Sequence, residues 1–280
     1  MNNQQSLGGG ARAFSPLRYK NKYLLHKVKN IDIMNNILNK YEVSMKRGFT
    51  LAEVLITLGI IGIVAAMTLP ALISNHNKKV IATQLKQNYS IISQAFTMAQ
   101  AEYGDRKNWD FSSVAGNNDT TVATKNKYAK ILGDKYFVPY LKNVKNYGIS
   151  SLKDAGFNKG YKLANGNTPT YNMASENDTR YIIEMANGAT YFLFWDSNTY
   201  NVLTDFVIYI DINGKKKPNV FGKDTFNARV KPDGKLQFYT AECPEGDREC
   251  LKNRCITTYT CGALIMNDGW EIADDYPIKL

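Results

Sequence analysis

The sequence predicts an α+β protein: a long N-terminal helix, its first half able to span a membrane, packed on a C-terminal domain with an antiparallel β-sheet. Three observations predict it. Residues 49–73 form a run of 25 residues with one ionisable side chain, Glu53, and apolar residues then recur at helical spacing as far as Tyr103. Downstream, two pairs of β-rich segments flank the turn signals Asn187-Gly188 and Pro232-Asp233-Gly234. All four cysteines lie between Cys243 and Cys261, a cluster that an exported domain closes as disulfides.

The chain of 280 residues carries a net charge of +10, of which +7 falls in residues 1–48 and only +3 in residues 49–280. A basic excess concentrated at one end does not mark the remainder as a nucleic-acid binder. His26 and His76 are the only histidines, and no Gly-rich phosphate loop follows a strand. No Ser-His-Asp or Cys-His arrangement can therefore be assembled, and the sequence predicts no enzyme and no resident cofactor.

Residues 1–48 contain Gly8-Gly9-Gly10 and no clean apolar period, and read as a leader, with Met34 and Met45 as alternative starts. The 49–73 run follows directly. A bilayer core needs roughly 20 apolar residues, and a secretory signal core has only about 7–15, so this run fits a span. Lys46 and Arg47 precede it, which places the N-terminus in the cytoplasm and the rest outside. An acid at mid-span costs roughly 2.5–3.5 kcal/mol, so Glu53 needs a partner. A cut after Gly48 would give Phe49 a free amine with a pKa of about 8, one helical turn from Glu53. That amine could pair within the chain or with the Glu53 of a neighbour.

Lys46-Arg47-Gly48-Phe49, Glu53 as the fifth residue from Phe49, and the uninterrupted apolar run together resemble the class III signal sequence of type IV pilins and type II secretion pseudopilins. The resemblance implies cleavage of Gly48–Phe49 by a prepilin peptidase, which also methylates Phe49. It implies that Glu53 serves assembly and that Pro70 kinks the helix, with Gly59 and Gly62 at loosening positions. The implied partners are the prepilin peptidase, other pilin or pseudopilin subunits, the inner-membrane assembly machinery and, before assembly, the inner membrane itself. The implied domain lies in the periplasm or outside. Four parts follow: leader 1–48, transmembrane and polymerisation helix 49–73, amphipathic continuation 74–104, and globular domain 105–280. The other reading is a membrane-anchored extracytoplasmic binding module that never polymerises.

From Ser74, Ile81, Leu85, Tyr89, Ile92, Phe96, Ala99 and Tyr103 recur every three or four residues, one face of a helix. The whole helix, Phe49 to Tyr103, would be roughly 80 Å long, bent at Pro70, and Gly104 is a plausible stop. Residues 105–124 read as a polar loop, 125–142 as a short helix ending near Pro139, and 143–177 as irregular. Residues 180–185 and 190–195 form a hairpin around Asn187-Gly188. Residues 205–211 make a third strand, and 226–230 with 235–239 a second hairpin. The segment from Cys261 to Trp270 has no assigned place.

Cys243, Cys250, Cys255 and Cys261 have no nearby histidine and no Cys-x-x-Cys spacing, which disfavours zinc; as two disulfides they leave three pairings open. Asp211-Ile212-Asn213-Gly214 begins like a calcium loop, with Asp224 and Asn219 as further oxygens, and the resemblance extends to major pseudopilins that bind calcium near their C-terminal loop. Against it, Lys215-Lys216-Lys217 fill the middle and no Glu stands twelve residues on from Asp211. An Asx-type turn after a strand is the plainer expectation. The lysine run reads as a solvated loop before it reads as a binding patch.

Overall fold

The computed structural model describes residues 48–114, 121–158, 160–169, 173–195 and 206–280; residues 1–47, the leader with both alternative starts, lie outside them. The chain divides into two compact units, Met1–Ala66 and Met67–Leu280.

Helix α1 runs over Leu51–Tyr103, 53 residues, and passes through Pro70 without interruption. Pro70 has no N–H to offer the carbonyl four residues back. In the second unit Leu85, Ile92, Phe96 and Ala99 are buried, as the spacing predicts, and Ala82 and Ala95 join them. The stripe stops one turn early. Tyr103 is exposed and meets the Tyr136 ring edge-on at 5.1 Å. Asn88 sits inside the stripe, 1% exposed. It is tolerated because both of its side-chain polar atoms are bonded. Its Oδ1 accepts from Tyr191 at 2.6 Å and Asn187 at 3.2 Å, and its Nδ2 donates to the Gln84 carbonyl at 2.8 Å.

A short 3-10 turn, Arg106–Asn108, lies in the predicted loop, and helix α2 covers Val122–Ile131 with Thr121 as its N-cap. The helix thus begins earlier than expected. It then widens into a π turn, Leu132–Phe137, before a 3-10 turn, Val138–Tyr140, that contains Pro139. Within it Gly133 is required by close approach: a Cβ there would lie 2.3 Å from the Tyr181 ring.

Six strands follow, β1 Val144–Ser151, β2 Thr179–Met185, β3 Thr190–Trp195, β4 Phe206–Asp211, β5 Thr225–Val230 and β6 Leu236–Phe238. They pair as an antiparallel meander in chain order. The Asn187-Gly188 and Pro232-Asp233-Gly234 turns close the β2–β3 and β5–β6 hairpins. Strand β1 corrects the expectation that 143–177 is irregular. It is an edge strand, partly exposed throughout and bulged between Asn146 and Gly148, so it lacks the alternation that betrays a half-buried strand.

Both faces of the sheet are covered. Tyr181, Tyr191, Leu193, Ile208, Ile210 and Ala228 face the core that α1 enters, with Phe96 stacked on Phe137 at 4.8 Å. Ile182, Phe192, Phe194, Val207 and Tyr209 face a second core made by Leu152, Phe157, Tyr161, Leu163 and Met173. Every residue of β3 and β4 is buried. The apolar runs Tyr191–Trp195 and Phe206–Ile210 within them follow from that two-sided burial.

After β6, α3 (Arg248–Cys255) and α4 (Cys261–Asn267) complete the chain. Two disulfides staple this region, Cys243–Cys250 and Cys255–Cys261, the sequential pairing of the three possible. Trp270, left unplaced by the sequence, packs on Tyr89 of α1 at 5.2 Å and on Phe238 at 6.0 Å. The result is the α+β, pilin-like architecture expected.

Candidate functional site

The N-terminal segment is the first candidate. Gly48, Phe49 and Thr50 precede α1 in extended or irregular backbone and are exposed. A scissile bond needs such a non-helical, accessible stretch. Among the described residues α1 is the one helix long and apolar enough to cross a membrane, and none of its apolar window is buried. Leu55, Ile56, Ile60, Ile61 and Ile63 are all more than half exposed, so apolar groups emerge on every side of the helix. Such a surface needs lipid or other helices around it. A Cβ at Gly59 or Gly62 would meet nothing within 4 Å.

Glu53 is the one charge on that surface and is bonded locally. Its Oε2 accepts from the Thr50 N–H at 2.8 Å and the Thr50 hydroxyl at 2.9 Å, while the Thr50 Oγ1 accepts from the Glu53 N–H at 3.2 Å. This is a capping box, in which a Thr and the Glu three residues on satisfy each other's orphan donors. The Thr-x-x-Glu spacing of such a box is present in the sequence at Thr50 and Glu53; it is a hydrogen-bonding signal that the pattern of charge does not reveal.

The second candidate is the turn after β4. Asp211, Asn213, Asn219 and Asp224 do come together. Asp211 Oδ1 accepts from the N–H groups of Asn213 and Gly214 at 3.0 and 2.8 Å, the Asx-type turn expected, and its Oδ2 accepts from the Tyr161 hydroxyl at 2.5 Å. Asp224 Oδ1 accepts from the Val220 N–H at 2.7 Å and Thr225 Oγ1 at 3.3 Å. Its Oδ2 accepts from the Asn219 N–H at 2.8 Å and Asn213 Nδ2 at 3.3 Å. Gly214, with φ 62°, is required: a Cβ there would lie 2.4 Å from the Gly188 carbonyl oxygen.

Asp211 is wholly buried and Asp224 is 3% exposed. Burial, and next the charge of Asp224, push the Asp211 carboxyl well above the carboxylate range, and burial raises Asp224 too. The Tyr161 hydroxyl is also pushed up, by burial and then by Asp211.

The fit to a calcium ion is incomplete. All four carboxylate oxygens already accept protein donors, and a cation would have to share them. Asn213 Oδ1 and Asn219 Oδ1 are buried without a hydrogen-bond partner. Among the described residues, however, no group of three or more Asp, Glu, His or Cys side chains is arranged for a metal. Of the lysine run, Lys215 is engaged, 2.8 Å from Glu184 and 3.0 Å from the Tyr147 hydroxyl.

Residues 71–280 match a family of unknown function (DUF6613), and residues 43–69 match the prokaryotic N-terminal methylation motif. The second match spans Gly48, Phe49 and Glu53 and is consistent with a type IV pilin or pseudopilin. No curated protein and no solved structure matches the chain.

Proposed function

Since the chain belongs to a family of unknown function (DUF6613), which carries no activity to borrow, we propose a function from the methylation motif and the geometry around it. The protein is a prepilin-like subunit. Prepilin peptidase removes the leader 1–48 at Gly48–Phe49 and methylates Phe49. Residues 49–73 then hold the subunit in the inner membrane, N-terminus cytoplasmic, with the domain in the periplasm or outside. From there it enters a type IV pilus or type II secretion pseudopilus through α1. The role is structural rather than catalytic, and the Asp211 turn closes a loop without needing a metal.

One observation carries this reading: Glu53 is the lone acid of residues 49–73, a stretch exposed and apolar on all sides, four residues after the amine that cleavage creates. In a bundle of such helices the Phe49 amine of one subunit meets the Glu53 of the next. The pair removes two uncompensated charges and fixes the axial register.

The test is a split phenotype. Glu53→Ala relieves the membrane cost, so the chain is made, cut and inserted as well as wild type. It also strands the neighbour's amine, and losing one member of a buried pair costs about 3–5 kcal/mol. Sheared filaments of the mutant should therefore be absent or scarce. Mutant filaments as abundant as wild type would reject the pairing. Wild type absent from every filament of a cell that makes them would favour the non-polymerising tether.

Processing is tested separately. Intact-mass measurement should show a chain beginning at methylated Phe49. Gly48→Val, which puts a branched side chain next to the scissile bond, should leave the leader attached.

A further inference from the structure

We propose that Thr50 is a positioning residue for assembly: its hydroxyl and N–H hold one oxygen of the Glu53 carboxylate, leaving the other presented to the Phe49 amine of the next subunit. The inference rests on the filament reading above and names a residue that reading does not use.

Both Thr50 donors converge on Oε2, at 2.8 and 2.9 Å. Among the described residues no hydrogen bond reaches Oε1. Side chains on a helix lean toward its N-terminus, so the carboxylate lies back over the turn that contains Thr50. That is the level at which a cleaved chain carries its amine. A free Glu has several rotamers and loses that freedom when it pairs. Here the return bond from Glu53 N–H to Thr50 Oγ1 at 3.2 Å closes the box, and the freedom is lost before any neighbour arrives. Such preorganisation raises affinity without adding a contact across the interface.

Solvation points the same way. On an apolar helix a bare carboxylate is costly. Two donors to Oε2 meet part of its need for hydrogen bonds while the subunit waits in the bilayer. They do so without occupying Oε1, so assembly does not require the box to open. A Glu53 that folded back on its own Phe49 amine would instead have to be released first.

The experiment compares full-length wild type, Thr50→Val, Thr50→Ser and Glu53→Ala in cells that contain the peptidase and the assembly machinery. Val keeps the shape of Thr and removes the hydroxyl; Ser restores it. Four quantities are read: the N-terminus by intact mass, the membrane fraction, the sheared-filament yield, and the Phe49–Glu53 amide formed between subunits by a zero-length carbodiimide.

Thr50→Val is expected to be cut and inserted like wild type. Its filament yield and its amide cross-link should both fall about fivefold or more, the size of effect that a lost N-cap produces. Thr50→Ser should keep both. Thr50→Val assembling and cross-linking like wild type would overturn the inference. So would Thr50→Ser failing as badly as Thr50→Val, and so would a Thr50→Val chain left uncut, which would assign the hydroxyl to processing. If Glu53→Ala fails while Thr50→Val does not, the pairing stands and only the role of Thr50 is lost. If Glu53→Ala assembles normally, the pairing itself falls.

Discussion

Asp211 and Asn88 are polar residues that the fold buries without a charge partner, and each is tolerated for a different reason. Asn88 is neutral and spends its amide on Tyr191, Asn187 and Gln84. Asn88→Leu would leave the buried Tyr191 hydroxyl without its acceptor. An unsatisfied buried group costs about 1–3 kcal/mol, and chemical denaturation should show a loss in that range. Asp211 is ionisable, and it faces Asp224 and the Tyr161 hydroxyl. Its folded pKa lies above its unfolded one, so the native state holds the proton more tightly. Stability from this group is therefore full below the unfolded pKa, about 3.9, and declines as pH rises toward the raised folded value. Asp211→Asn keeps Oδ1 for the Asn213 and Gly214 N–H groups and removes the titration. Relative to wild type, its thermal midpoint should gain steadily as pH rises above about 4. Parallel curves for the two proteins would show that Asp211 does not titrate in this way.

At the scale of elements, the disulfide pairs each lock a short segment after β6. Cys255 and Cys261 are six apart in sequence and both are buried. In the chain-entropy view a loop of this size contributes about 2 kcal/mol, and Cys255→Ser with Cys261→Ser should lose about that much by urea unfolding. Cys243 and Cys250 close a similar loop, and alkylation of the native protein should find no reactive thiol. Helix α1 changes character along its length. Its first half is apolar on every side, whereas after Ser74 the outward side carries Lys79, Thr83, Lys86, Gln87, Ser90 and Gln94, all exposed. In the proposed filament, helix contacts between subunits would thus be apolar near Glu53 and polar further along.

Across the whole molecule, the hydrophobic core begins at Ala82 and lies entirely within the second unit. A chain starting at Ser74 should therefore be soluble and fold cooperatively, while any chain that includes 49–73 should partition into membrane or detergent; aggregation of the shorter form in the absence of detergent would contradict this. Calcium supplies a second whole-molecule test. Up to about 10 mM, above the ~1 mM affinity of weak extracellular modules, it should leave the thermal midpoint of the soluble form unchanged. A midpoint that climbs with calcium would make the Asp211 turn a metal centre.

The parts that the sequence determined by itself are those whose physics is local. The methylation motif over residues 43–69 can be read because a span, its flanking cations and its one acid are contiguous. The α1 stripe and the two hairpins can be read because helical and strand periods and turn residues act over a few positions. The tertiary structure decided the rest. Strand β1 exists only because β2 offers its edge, and Leu152, Phe157, Tyr161, Leu163 and Met173 form a second core layer only because a sheet face needed covering. The pairing of Cys243 with Cys250, the bond from Tyr161 to Asp211 and the burial of Asn88 against Tyr191 follow from which chain segments meet. No local pattern encodes such meetings, because their free energy arises only when distant residues exclude water together.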